Sequence, residues 1–593
     1  MLELKFKKIY LNIVTRMSLK EIIDGLYDHQ KDAIEWCKKR QKEGVSNETD
    51  VLKIGGGILC LTMGLGKTRS MLVLSQLQKN NKTLIICSKT LLDEWCIEIK
   101  KIFDIDVYSG ELDEDKPKVL LFHQEFSKNI KNMTIEDLLN YDIILTTYDI
   151  VTKGDAICSA SEDTFVRGFE GLHKDKIVSY KRKTKPTSRL HGQSALFSIK
   201  WDHIITDESQ KFCNDKTKVF RAVCALVGKY KWCLTGTPCK NADKDMWSLL
   251  WFCGFDMVDN PKEWGYNTFQ KYNLHNMLFV KQMKDVPKIT ESMPKITYNE
   301  HKVDLSKDEL YIYLFYFREL WEAYNKGIIN KGNGDSFAII LGLFQRLRQI
   351  SIAPYLLSEK SKSKYKAIKI NEEDIPPTSL MCSTKEYIRS LEKKVHDENI
   401  MGFQSAKISK ILEITKELIK TKEKVLIFSS FSCSLYLLHG ALMKDTNVSI
   451  LDGTTSAKRR SEILNIFRQT DEIQILLCNF KVGAEGLNLT QACNVITIEP
   501  HWNHVLENQA ISRVWRNGQE RPVNVHRIIT NGTIENQIVK LCNEKKSVMN
   551  SYLNNNATGR QKISKLDYYT LNKILTATIN EYVNKGINIH DYK

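Results

Sequence analysis

The stretch from Gly55 to Thr68, G-G-G-I-L-C-L-T-M-G-L-G-K-T, constrains this chain more than any other. An apolar run closed by Ile58 and Leu59 passes at once into Gly64, Gly66, Lys67 and Thr68. A strand that ends in a glycine turn and opens a helix points several backbone N–H groups at one spot. The helix N-terminus adds its dipole there. The result is a phosphate cradle built from Met63, Gly64, Leu65 and Gly66. Lys67 would reach the β- and γ-phosphates of a nucleotide such as ATP, and the Thr68 hydroxyl would hold Mg²⁺. The strict pattern G-x-x-x-x-G-K-[ST] is not met, because Leu61 stands where the first glycine belongs. Alone, G-L-G-K-T also reads as a strand–helix turn carrying a solvated lysine.

Bulk properties narrow the setting. A length of 593 residues suggests roughly three to five domains of ordinary size. Basic residues number 87 against 71 acidic, a net charge of +16. Such a balance favours a polyanionic partner, most simply nucleic acid, although a lysine-rich proteome of an AT-rich genome gives the same excess. Fifteen cysteines contain no C-x-x-C pair, and Cys60, Cys87, Cys233 and Cys478 lie inside apolar runs. That usage fits free thiols in a reducing compartment, with no zinc site and no disulfide framework. The N-terminus has no signal-peptide core, and no apolar run approaches the length of a membrane span. The chain reads as intracellular and soluble, without a membrane partner.

Short apolar runs at Ile58–Leu61, Thr83–Cys87, Val119–Phe122, Ile143–Thr147, His203–Thr206 and Trp232–Thr235 alternate with amphipathic segments. That alternation predicts a parallel sheet in an α/β lobe. A polar stretch over 153–198, with the basic run Lys181 to Lys185, reads as an insertion or loop. The run itself would be a solvated loop or a nuclear-import or DNA-contacting element. The strand signal fades over 256–400, where Leu310 to Tyr324 and Phe337 to Ile350 are helical and Lys360 to Pro377 is a linker candidate. Strands resume at Val425–Phe428, Val448–Leu451, Ile473–Cys478 and Val495–Glu499. A helix from Thr533 to about Asn550 precedes a tail with a last helix near Leu571 to Val583.

Other parts of a phosphoryl-transfer site follow in order. The strand Ile204 to Thr206 ends in Asp207-Glu208, placing two carboxylates where α/β sheets hold ligands. Asp207 would bind Mg²⁺ and Glu208 would deprotonate the attacking water. Leu234 to Pro238, L-T-G-T-P, ends another strand in a hydroxyl-rich turn, or is simply a Gly-Pro loop. Arg513 and Arg516 sit at i and i+3, a spacing that on a helix would aim both guanidinia at one target. An arginine so placed is worth on the order of 10³–10⁵ in rate during phosphoryl transfer.

These residues carry a close family resemblance. The chain resembles the Swi/Snf-type helicase-like ATPases of superfamily two over about Leu26 to Asn543. Gly56 to Thr68, Thr83 to Trp95, Tyr141 to Tyr148, Asp207 to Gln210 and Leu234 to Pro238 are similar to its first-half motifs. Leu347 to Leu357 is similar to its inter-lobe segment. In the second half Gly453, Arg460, Phe467, Gly483 to Thr490, Trp502-Asn503 and Gln509 to Gln519 fall in the family's order. The resemblance implies two RecA-like lobes with ATP between them. It places an N-terminal lobe over 1–255, a helical inter-lobe region over 256–400, a C-terminal lobe over 401–545 and a helical tail over 546–593. Gln30 would read adenine, or else fills its helix core. Gln509 would line the nucleotide, Arg513 and Arg516 would reach the γ-phosphate, and Thr235 and Thr237 would couple nucleotide state to closure. Lys89, Thr147, Ser429 and Thr490 would contact DNA, mostly at phosphates.

Departures mark a divergent member, of a large DNA virus or an AT-rich eukaryote. Leu61 and Thr62 replace acidic neighbours of the loop, Ser209-Gln210 replaces Ala-His, Lys281-Gln282 replaces paired arginines, and Trp515 replaces a histidine. Ser194 to Glu208 is nearest the branch that often inserts a RING finger between the lobes. Cys382 stands alone in that region, so the finger is not expected. The expected function is an ATP-dependent translocase on duplex DNA, acting in chromatin remodelling, transcription or repair, with chromatin or transcription and repair proteins as partners. It would work in the nucleus or at a viral replication or transcription site. An RNA-directed or transcription-termination-type ATPase and a catalytically weak nucleic-acid-binding scaffold are the alternatives.

Overall fold

The computed structural model of the chain describes residues 19–43, 45–46, 51–52, 55–78, 80–108, 116–127, 130–158, 192–239, 244–255, 258, 263–329, 334–357, 405–483, 488–516, 518–554 and 568–589. The basic run Lys181 to Lys185, most of the 153–198 insertion, the linker Lys360 to Pro377, Cys382 and the Ala484 to Leu487 part of the last glycine motif lie outside them. Two compact units form, Met1–Thr290 with Met549–Arg560, and Glu291–Val548 with Gln561–Lys593.

In the first unit the apolar runs become seven parallel strands: β1 (Gly57–Leu61), β2 (Thr83–Cys87), β3 (Val119–Leu121), β4 (Ile143–Thr147), β5 (Trp201–Asp207), β6 (Gly228–Leu234) and β7 (Leu278–Lys281). Their order is β3-β4-β2-β5-β6-β1-β7. The side chains of β1, β2 and β4 are buried throughout, as strands covered on both faces must be. Helices α1 (Asp28–Glu43), α2 (Lys67–Ser75) and α3 (Leu92–Phe103) bury Ala33, Ile34, Leu72, Trp95 and Ile99 against this sheet. A Cβ on Gly56 would lie 2.1 Å from the Lys231 carbonyl oxygen, so the run before β1 is glycine because β6 passes too close for a side chain. The register aligns Leu59 with Leu234 and Leu234 with Asp207. The segments after β1, β5 and β6 therefore leave one edge of the sheet side by side.

The second unit carries six parallel strands: β8 (Ile296–Val303), β9 (Lys424–Ser429), β10 (Val448–Leu451), β11 (Ile475–Asn479), β12 (Ala492–Thr497) and β13 (Val523–Thr530). Their order is β8-β13-β12-β9-β11-β10. Three strands, β7, β8 and β13, lie outside the runs that the sequence marks as strands. β7 spans only four residues, and β8 is an edge strand with alternating exposure, so T-Y-N-E-H-K needs no continuous apolar run. Helices α4 (Lys307–Ile329) and α5 (Gly334–Ile350) share a separate core with α8 (Ile534–Asn554) and α9 (Tyr568–Asn584), through Leu314, Phe344, Ile538 and Leu575. Between α5 and α8 come α6 (Ala406–Lys420) and α7 (His504–Ile511).

One buried ion pair holds α6 to α8. Lys407 Nζ donates to both Glu535 carboxylate oxygens at 2.7 Å, and Glu535 also accepts from Thr530 N at 2.8 Å. The two side chains are 1% and 2% exposed. Removing one partner strands a buried charge, at about 3–5 kcal/mol. Glu535→Ala is expected to lower the unfolding free energy of the second unit, read from urea titration, by that amount. The pair variant Lys407→Met/Glu535→Leu should recover most of it. The thirteen cysteines whose side chains the structure describes are free, and all of these except Cys433 are buried. No described helix is long and apolar enough to cross a membrane.

Candidate active site

The phosphate loop takes the form its residues require. Gly64 and Gly66 have φ of 88° and 76°, in the left-handed region that glycine enters without cost, and Gly66 caps α2. A side chain on Gly66 would also collide with Gln30, whose Nε2 lies 2.0 Å from the Cβ position. Gln30 is buried, donates to Leu65 O at 3.3 Å, and accepts from Tyr27 N at 3.1 Å. His29 Nε2 also sits 2.9 Å from Leu65 O. Gln30 is thus fastened to the loop rather than merely filling a helix core. Lys67, on the first turn of α2, donates to Leu61 O at 2.8 Å, so the residue in the missing glycine's place serves through its carbonyl. Thr68 follows it, partly exposed. Thr62 N donates to Lys281 O at 3.1 Å, which gives Lys281 a backbone role beside the loop in place of the family's arginine.

Asp207 closes β5 and is 6% exposed. Its two carboxylate oxygens are held separately, Oδ2 by Trp95 Nε1 at 2.9 Å and Oδ1 by Glu208 N at 2.9 Å. Burial, and then the adjacent Glu208 carboxylate, push its pKa above the usual range, against the pull of Lys67 and of the Trp95 hydrogen bond. Glu208 stands at φ 51°, ψ 51°, a conformation that costs a non-glycine residue about 1–3 kcal/mol. From there its carboxylate accepts from Gln210 Nε2. Gln210 Oε1 in turn accepts from Thr235 Oγ1 at 2.7 Å, and Thr237 N donates to that hydroxyl at 3.0 Å. Gln210 therefore joins the carboxylate pair to L-T-G-T-P.

The second unit places its residues differently from expectation. Helix α7 ends at Ile511, with Ser512 as its cap, so Arg513 and Arg516 lie in the turns beyond it and not on one helical face. Those turns are pinned to the start of β12. Leu489 N donates to Arg513 O at 3.0 Å, and Gln519 Nε2 donates to Thr490 O, Ala492 O and Val514 O at 3.0, 2.8 and 3.2 Å. Arg513 is buried, Arg516 partly exposed, and Gln509 buried on α7. Trp515, in place of a histidine, donates its indole N–H to Pro294 O at 2.8 Å. Ser429 corrects another expectation. It is fully buried, and its hydroxyl donates to Glu499 Oε2 at 2.9 Å, so it offers nothing to DNA. Burial raises the pKa of Glu499, which also accepts from Ser430 N at 2.6 Å. Thr490 is partly exposed.

In the first unit Lys89 is exposed and pairs with Glu125 at 2.5 Å. Thr147 is 2% exposed, and its buried hydroxyl has no hydrogen-bond partner. The roles of Gln210, Gln519 and Trp95 escaped the sequence reading. A buried indole needs a hydrogen-bond acceptor, and Trp95 falls on the apolar face of α3 with Leu92 and Ile99, so Trp95 at least carried a signal.

The residues present fit Mg²⁺ with a nucleotide. Asp207 is a desolvated carboxylate whose charge a cation would stabilise, and Thr68 adds a hydroxyl oxygen at the loop. Among the described residues no three His, Cys, Asp or Glu side chains cluster to cage a metal. Mg²⁺ commonly takes one or two carboxylates, with waters and substrate phosphates completing its shell.

Comparison with known proteins gives one consistent picture. The SNF2-related domain family matches residues 29–356, and the helicase conserved C-terminal domain family matches 406–518. The chain is 33% identical to “Putative helicase 172L” of Invertebrate iridescent virus 6, over 93% of this chain and 95% of that protein. It is 25% identical to “Probable global transactivator” of Orgyia pseudotsugata multicapsid polyhedrosis virus, over 91% and 94%. Among solved structures it is similar to the Sulfolobus solfataricus SWI2/SNF2 ATPase core in complex with dsDNA, at 23% identity over 88% of this chain and 92% of that one, with a TM-score of 0.35.

Proposed function

This chain belongs to the SNF2-related family of helicase-like ATPases, and we propose that it hydrolyses ATP to translocate along duplex DNA without separating the strands. The observation that carries the reading is the meeting, at one sheet edge, of the glycine loop, the Asp207–Glu208 pair and Thr235, with Gln210 bridging the last two. That is a phosphate cradle next to a base and a switch.

In the reaction, Gln30 and Met63 to Gly66 hold the nucleotide, and Lys67 exchanges Leu61 O for the β- and γ-phosphates. Thr68 and Asp207 would hold Mg²⁺, which would supply positive charge beside the transferred phosphoryl group. Glu208 takes the proton of the attacking water, and its left-handed backbone aims the carboxylate away from the strand. Gln210 reports the state of Glu208 to Thr235 and Thr237. Gln509, Arg513 and Arg516 are assigned to the γ-phosphate, where positive charge lowers the barrier. Net charge of +16 supports a nucleic-acid track, with Lys89, Thr147 and Thr490 assigned to phosphates and Ser430 standing beside the buried Ser429. The likeness to viral proteins supports work at a viral replication or transcription site.

The test compares ATPase stimulation by duplex DNA, single-stranded DNA and RNA, paired with a strand-displacement assay. Strongest stimulation by duplex with no displacement is expected. Preference for RNA would replace the reading with an RNA-directed motor.

A further inference from the structure

Asp207 is gripped from both neighbouring segments that carry the assigned DNA contacts. Strand β2 lies between β4 and β5 in the sheet, with Cys87 level with Thr147 and Ile86 level with Thr206. The chain leaving β2 passes through Lys89 and enters α3, whose Trp95 donates its indole N–H to Asp207 Oδ2 at 2.9 Å. The chain leaving β4 passes from Thr147 directly to Tyr148, whose hydroxyl donates to the Asp207 backbone carbonyl at 2.7 Å. Trp95 is 1% exposed and Tyr148 6%, so neither bond competes with water. Tyr148 is further fixed against Phe212, with ring centroids 6.1 Å apart.

We propose that Trp95 and Tyr148 are positioning residues that set the Asp207 carboxylate for Mg²⁺ and transmit nucleic-acid contact at Lys89 and Thr147 to it. The inference rests on the ATPase reading above and names how the track stimulates that site. With Oδ2 held by the indole and Oδ1 by Glu208 N, the carboxylate has one fixed orientation, and each oxygen keeps lone-pair capacity for a cation or its waters. A shift of the segment 87–95 or 147–148 on binding DNA moves a donor of that carboxylate or of its backbone. No longer path is needed, because Thr147 and Tyr148 are adjacent and Lys89 lies on the turn that opens α3. The Thr147 hydroxyl is buried and unmet, so a phosphate oxygen reaches it only once the segment 147–148 has shifted, which is the movement the coupling requires.

Trp95→Phe keeps an aromatic ring and removes the donor. The half-saturating Mg²⁺ concentration for ATP hydrolysis is expected to rise about tenfold, a value within the range of a lost hydrogen bond to a charged group. KM for ATP at saturating Mg²⁺ and Kd for duplex DNA should stay within twofold. A purely packing role would lower melting temperature without moving the Mg²⁺ dependence, and that result overturns the assignment of Trp95. Tyr148→Phe removes one oxygen and is the variant to rely on if Trp95→Phe does not fold. Its ratio of DNA-stimulated to unstimulated ATPase is expected to fall at least threefold with Kd for DNA unchanged, and an unchanged ratio overturns the coupling. Absence of hydrolysis by the unaltered chain with every nucleic acid is a different result, because it removes the ATPase reading itself.

Discussion

A Lys67→Ala variant is expected to release phosphate from ATP at least about 10³ times more slowly than the unaltered chain. The ammonium sits on the first turn of α2, within 2.8 Å of a loop carbonyl, where a nucleotide's terminal phosphates would displace that carbonyl as its partner. Lys67 is partly exposed and its loss opens no core cavity, so melting temperature should change by no more than a few degrees. Binding to duplex DNA should persist, because the contacts assigned to DNA lie on other segments. Steady-state phosphate release with saturating duplex, alongside Kd for the same duplex, checks both halves. Full turnover in this variant contradicts the assignment of the loop.

Glu208→Gln should separate binding from chemistry. The amide has the shape of the carboxylate and can still meet Gln210, but it cannot take a proton from water. The rate constant kcat is expected to fall by about 10²–10⁴ while Kd for ATP stays within threefold. Rapid-quench measurement of one turnover, with nucleotide affinity measured separately, distinguishes this from Lys67→Ala, in which binding also weakens. Equal loss of affinity in both variants would show that Glu208 holds nucleotide and is not the base.

The legible part of this protein was the part written in consecutive residues. Thr83–Cys87, Ile143–Thr147 and Val448–Leu451 are apolar without interruption because parallel strands are covered on both faces, and the structure begins and ends them at those residues. The positions of Lys67 and Asp207 followed from the same rule, since each ends or follows such a strand. What failed was geometry that no local pattern encodes. The i, i+3 spacing of Arg513 and Arg516 suits a helix, yet Gln519 and Leu489 draw that segment into turns against β12. The family resemblance assigned Ser429 to DNA, and Glu499, seventy residues later, takes its hydroxyl inward. β8 was hidden because an edge strand alternates and needs only its partner β13. The Gln210 bridge and the Trp95 grip join side chains that sequence spacing does not relate.

The most direct test of the central claim is steady-state phosphate release from ATP by the unaltered chain, with and without duplex DNA, as salt is raised. Hydrolysis should be slow alone and rise with duplex. If six to ten phosphates are held, affinity for the duplex should fall by roughly 10³–10⁵ between 50 and 200 mM salt, carrying the stimulation down with it. Turnover that is absent with every nucleic acid, or that ignores duplex DNA at low salt, would contradict the account.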